Sequence, residues 1–273
     1  MKKQKLAVVF AALLTMVGFS SCLNGETDPT VSPKEFMKVN GGVGYYSFTS
    51  SSGYTITPAN MSALKDVQLS TSYAYVIYSY DSSLMELNED KSATINAVVG
   101  IRDGWAMPRA TVEEDGNAPI YSLQNNTELI YYYGYPAYLA YYDKYNLFIP
   151  ITYYYDSSEK SGEDSEESGA DIDTHSFALY YDSEEASDKG TLLMHLRHKV
   201  INPDTKRDKT NTESFHFNIA AVLSAYTAKT GISMPDKIVI EYEESQTSSY
   251  DNTISNKLEF EYKSVFEENI ANN

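Results

Sequence analysis

Two short patterns in this chain carry the letters of serine acyl-transfer chemistry. Ser62-Ala63-Leu64-Lys65 sets a lysine three residues after a serine, and Lys229-Thr230-Gly231 supplies the second motif of the same enzymes. Their surroundings argue against both. Gly231 falls where a helical run ends and reads as its cap, so Lys229 and Thr230 leave a helix instead of lining a strand. Ser62 falls in a loop between strands, with no helical domain to hold serine and lysine together. The chain also lacks G-x-S-x-G, H-E-x-x-H, a phosphate-cradling glycine loop and a cysteine pair for zinc. No catalytic residue is assigned.

Metal chemistry has four histidines to draw on: His175, His195, His198 and His216. On a strand from Thr191 to His198, His195 shares a face with Leu193 and Arg197. His198 shares the opposite face with Leu192, Met194 and Leu196. Ligands on opposite faces do not grip one ion. His198 therefore reads as a hydrogen-bonding strand-end residue, and His195 with Arg197 as a solvated face. Between Asp156 and Asp173 the chain carries eight acids and one bulky apolar residue, Ile172. That stretch lacks the alternating acids, central glycine and closing glutamate of an EF-hand loop, so it reads as an acidic loop that cannot build a core. No metal and no cofactor are expected.

Tyrosine is the remaining unusual resource. Of 25 tyrosines, eleven lie between Tyr131 and Tyr155. Alternation along strands sends Tyr138 with Tyr142, and Tyr153 with Tyr155, to one side, and Tyr141 and Tyr154 to the other. One of these rows is expected to form an exposed aromatic platform for a sugar or a protein partner. The competing reading is that tyrosine is simply a good strand residue with a wet tip.

The N-terminus names a compartment. Lys2, Lys3 and Lys5 precede an apolar stretch from Leu6 to Val17, and Phe19-Ser20-Ser21 leads into Cys22, the single cysteine. A stretch of twelve residues is too short for a membrane span of about 20. Residues 1–21 thus read as a cleaved lipoprotein signal, with Cys22 as the lipidated residue. Two or three acyl chains, at about 0.8 kcal/mol per buried CH₂, would fix the protein to a membrane. The formal charge of −17, or −20 once the three signal lysines are removed, argues against nucleic acid, whose phosphates require Lys and Arg.

Behind the cysteine, residues 22–38 read as a flexible tether containing Asn24, Gly25, Asp28, Pro29 and Pro33. Short β-strands follow at Gly44–Thr49, Tyr54–Thr57, Ser72–Tyr80, Thr94–Arg102 and Ile120–Leu123, separated by turn residues, which suits a small barrel over 39–124. Residues 125–273 carry longer strands, a hairpin turn at Asp143-Lys144-Tyr145-Asn146, the acidic loop 156–173 and one helix, Ile219–Thr230, after Asn218. Ile238, Ile240 and Tyr242 alternate with Glu241 and Glu243, the one-face-buried pattern of antiparallel sheets packed as a sandwich. The fold class expected is all-β.

In order, these phrases resemble the NigD-like lipoproteins of Bacteroidetes. The resemblance is carried by Ser21-Cys22, Gly44-Tyr45-Tyr46 leading to Gly53 and Thr57-Pro58, Tyr73 to Tyr80, His175-Ser176-Phe177, Leu192 to His198, and Ser214-Phe215. It implies an N-terminal OB-like barrel and a C-terminal β-sandwich. It also implies a cell-envelope protein with a proposed immunity role beside a bacteriocin operon and no established reaction. The function expected is a non-catalytic, outer-membrane binding module for a protein, peptide or glycan. The alternatives are an envelope hydrolase whose carboxylates come from distant strands, and a structural subunit of a surface assembly.

Overall fold

The computed structural model describes residues 29–65, 67, 69–84, 88–109, 116–123, 138–156, 174–185, 188–201 and 207–270. The signal, Cys22 and most of the acidic loop lie outside them. The chain divides into two compact units, one ending at Asp103 and the other beginning at Gly104. No helix among the described residues is long and apolar enough to cross a membrane.

In the first unit, β1 (Thr30–Val31) pairs with the end of β5 (Tyr73–Asp81). Five strands then close on themselves: β2 (Lys34–Gly42), β3 (Tyr45–Ser50), β4 (Thr55–Pro58), β5 and β6 (Lys91–Asp103). The neighbour order is β5-β2-β3-β4-β6, with β6 returning to β5. All pairings are antiparallel except β4 with β6. That connectivity is the OB barrel. Met37, Phe48, Ile56, Val76 and Tyr78 fill its inside.

The barrel has five strands, as expected, but not the expected five. Lys34–Gly42 falls largely within the stretch read as tether; it is a barrel strand, with Phe36 and Met37 both buried. Burial on both faces, with Glu35 pointing inward, removes the alternation by which a strand is recognised. Conversely, Ser122–Leu123 pairs inside the second unit, and the units part at Asp103/Gly104, earlier than the expected 124/125.

The second unit packs two sheets. The smaller joins β8 (Ser122–Leu123), β9 (Ala140–Tyr141), β10 (Asn146–Tyr155) and β13 (Lys209–Asn218), all antiparallel around β10. The larger runs β15 (Ile254–Glu261), β14 (Lys237–Glu244), β12 (Thr191–Val200), β11 (His175–Asp182), β7 (Trp105–Arg109). It is mixed, because β12–β14 and β11–β7 run parallel. The chain between β12 and β14 passes through β13 and a helix, long enough for the crossover that a parallel pair needs.

Inner faces interlock through Phe177 and Phe215, with centroids 4.5 Å apart, each contributing about 2–3 kcal/mol by burial. The helix α1 (Ala220–Thr230) follows Asn218, whose Oδ1 accepts the Ala220 N–H at 3.1 Å. It ends at Gly231, φ 75°, whose N–H reaches the Thr227 carbonyl. A short helix, α2 (Lys263–Ile270), lays Phe266 against Tyr141 and Tyr262.

Candidate functional site

The hairpin tyrosines do not form an exposed row. Tyr138, Tyr141, Tyr153 and Tyr154 are buried, and Tyr142 and Tyr155 are half-buried. Tyr153 points into the sandwich among His175, Phe177, His198 and Phe215. Tyr154 faces the other way but meets Tyr121 edge-on at 5.5 Å. Tyr141 sits among Phe260, Tyr262 and Phe266. Both sides of this hairpin are packed, so the platform expected there is corrected to core.

Among the histidines, the sandwich interior pairs His175 of β11 with His198 of β12. His198 Nδ1 lies 3.1 Å from the Pro119 carbonyl, which can only accept, so Nδ1 carries the proton and Nε2 is an acceptor. His175 Nδ1, 2.9 Å from that Nε2, is then the donor. Burial first, and the neighbouring His175 second, push His198 down to about 3. Tyr153 donates to Glu213 beside this pair and accepts from Asn211 Nδ2 at 3.1 Å. His216 approaches Asn146 Oδ1 at 2.9 Å. These polar side chains are engaged with one another inside the sandwich and at its margin.

The barrel has its own polar cluster at the end where β2 begins and β5 finishes. Glu35 Oε1 accepts from Tyr54 and Tyr78 hydroxyls at 2.5 and 2.6 Å, and Oε2 accepts from Ser50 Oγ at 2.7 Å. Each phenol spends its one proton on Glu35. Burial, then the Glu35 charge, raise both phenols well above their ordinary value. Lys91 lies over the Tyr80 and Tyr54 rings at 4.3 and 5.0 Å. With its carboxylate saturated and its phenols locked in the protonated form, the cluster braces the barrel end.

The outer face of the five-stranded sheet is different. Register sets Met107 opposite Tyr180, Tyr180 opposite His195, His195 opposite Glu241, and Glu241 opposite Lys257, one position from each strand. At ~4.8 Å per strand this row is about 19 Å long. Trp105, two residues before Met107 and on the same face, is 55% exposed, and Met107 is 38% exposed.

The polar members of the row are held by neighbours. Arg109 lies 4.8 Å over the Tyr180 ring. His195 donates from Nε2 to Glu185 at 2.5 Å, so it is covered by a carboxylate instead of the solvent expected for it. Glu241 accepts from Ser255 at 3.0 Å and pairs with Lys257 at 3.1 Å. Partial burial pulls its carboxyl upward, but Lys257 and Ser255 outweigh that and hold it below the usual range. The arrangement presents one indole and one thioether beside fixed donors and acceptors.

Sequence reasoning passed over this face because Pro108 and the Asp103-Gly104 turn hide β7. The available signal was Trp105, the chain's one tryptophan. Ser62 lies in a 3-10 turn with Leu64 buried in the barrel, and Lys229-Thr230-Gly231 ends α1, each in the context expected. Among the described residues, no three His, Cys, Asp or Glu side chains converge as metal ligands.

No family model matches the chain, and no curated protein matches it. Solved structures do. A candidate lipoprotein from Bacteroides fragilis superposes with TM-score 0.64 at 24% identity, over 85% of this chain and 98% of that one. A protein of unknown function from Bacteroides vulgatus gives 0.52 at 10% identity, over 87% and 93%. The structural neighbours also include a NigD-like immunity protein from Bacteroides caccae, with TM-score 0.46, 13% identity, and 84% and 96% coverage. What the first two share with this chain is the fold.

Proposed function

We propose that this chain is a lipid-anchored envelope protein, held at an outer membrane through Cys22, that acts as a non-catalytic binding module. The observation that carries the binding role is the outer sheet face. Its ionisable side chains are engaged with one another while Trp105 and Met107 face solvent. Groups held by fixed partners are already placed to orient a ligand. The signal grammar and the fold shared with a candidate lipoprotein support the compartment. An immunity-like role, suggested by the sequence resemblance, is one form such a module takes.

The anchor also limits reach. Seven residues separate Cys22 from the first strand residue Thr30, and a fully extended chain covers about 27 Å over those eight Cα steps. The barrel would stand close to the lipid. Fractionation tests the anchor: wild-type protein should enter the detergent phase, and Cys22→Ser should not. Wild-type protein that stays in the aqueous fraction overturns it. His195→Ala and Glu185→Gln test the absence of catalysis, since hydrolysis of any envelope polymer that these changes abolish would reverse the reading.

A further inference from the structure

We infer that the outer face of the five-stranded sheet is a platform for a neutral oligosaccharide, with Trp105 as the stacking ring. The inference rests on the binding-module reading and names its ligand class.

Three observations select a sugar. The first is area. Among the described residues, Trp105 and Met107 are the exposed large apolar side chains of the row from Met107 to Lys257 and its β7 flank. A stable protein interface buries about 800 Å² per partner around a cluster of anchors, which one indole and one thioether do not supply. Stacking a single sugar ring on one indole needs far less.

The second is charge. Arg109 is engaged with Tyr180, Lys257 with Glu241, and Lys237 with Glu259 at 3.0 Å. Arg197 and Lys199 follow His195 on the same side of β12, Arg197 donating to the Leu196 carbonyl at 3.2 Å; with Arg109, Lys237 and Lys257 engaged and a chain charge of −17, uncharged sugars are favoured over uronic and sialic acids.

The third is the polar pattern. Beyond Tyr180 the row runs through His195, Glu241 and Lys257 at successive strand spacings, and Glu185, hydrogen-bonded to His195, sets its carboxylate beside it. Their geometry is fixed before a ligand arrives, so hydroxyls along a short oligosaccharide find ordered donors and acceptors at low entropic cost. An amphipathic indole at one end and charge-assisted hydrogen bonds along the rest match the two faces of a sugar, apolar C–H and polar O–H.

The one tryptophan makes the test direct, because tryptophan emission reports on residue 105 alone. Full-length protein in detergent is applied to an array of neutral and acidic oligosaccharides, and each hit is titrated by emission. A neutral oligosaccharide should bind and shift the emission to the blue. By array binding, Trp105→Ala should weaken it at least tenfold, Trp105→Phe less, and Lys257→Ala about threefold. Tyr45→Ala, which removes a ring 78% exposed on the barrel, should change nothing. The inference is overturned if no neutral sugar binds, if only acidic sugars bind, or if Trp105→Ala binds unchanged. A protein or peptide that shifts the same emission overturns the sugar but leaves the binding module standing; cleavage of the bound sugar overturns the module itself.

Discussion

His175 Nδ1 donates to His198 Nε2 across 2.9 Å inside the sandwich, and the Pro119 carbonyl fixes which histidine is the donor. Neither ring reaches bulk water, and Phe177 stacks on His198 at 4.5 Å.

This pair makes the protein sensitive to acid. His198 sits at about 3 in the fold, through burial and then His175, against about 6.5 when unfolded. Between those values the unfolded chain binds a proton that the folded chain refuses, so stability falls as pH drops from about 6.5 towards 3. The slope attributable to His198 is about 1.4 kcal/mol per pH unit. Urea unfolding at pH 7, 6 and 5 should show it, and His198→Phe should remove close to one proton from the uptake. An unchanged slope in that variant would mean that other groups dominate.

Burial of Tyr54 and Tyr78, with the Glu35 charge second, shapes the opposite pH limb. Glu35→Ala takes the shared acceptor from Tyr54 and Tyr78; one phenol can then donate to the other across 3.0 Å, leaving the second proton without an acceptor, at a cost of about 1–3 kcal/mol. Glu35→Gln keeps an acceptor for both and should cost less. In the wild type, both phenols are raised above their ordinary value. The unfolded chain then releases protons near pH 10 that the fold retains, so stability is lost as pH climbs past 10. Thermal melts from pH 8 to 11 should show the decline, and an unaltered melting temperature would contradict it.

Two glycines with positive φ should differ in cost. At Gly231, φ 75°, an added Cβ meets nothing within 4 Å, so alanine suffers only the left-handed strain, about 1 kcal/mol. At Gly41, φ 90°, a Cβ would fall 1.9 Å from the Tyr45 carbonyl oxygen, inside the β2–β3 hairpin. Gly41→Ala must therefore shift backbone as well, and should cost about 2–3 kcal/mol. Denaturant midpoints of the two variants settle the order, and equal midpoints would refute the clash.

Separability of the second unit depends on where it is cut. A fragment beginning at Gly104 retains β7, the buried Ala118 and Ile120, and the Gly104 N–H bond to the His216 carbonyl. One beginning at Asn125 exposes the β11 edge and opens the space that Ile120 fills. The longer fragment should melt cooperatively and the shorter should not. A cooperative melt of the Asn125 fragment would move the boundary back to 124.

The all-β class, the strand at 73–81, the cap at Gly231 and the alternation of Ile238, Ile240 and Tyr242 follow from sequence alone, because each is a local pattern of periodicity or turn chemistry. Local pattern does not say which face is wet. Tyr153 and Tyr154 both looked available for binding, yet one enters the sandwich and the other lies under Tyr121. Lys34 to Lys38, the first half of β2, read as tether because the Glu35 carboxylate turns inward, where three hydroxyls meet it only once the barrel has closed around it. His195 lies on the outer side as alternation required, but Glu185 and the row from Met107 to Lys257 are products of strand register between five separated segments. Pairing partners so far apart in the chain leave no local signature, so that face exists only in the folded sheet.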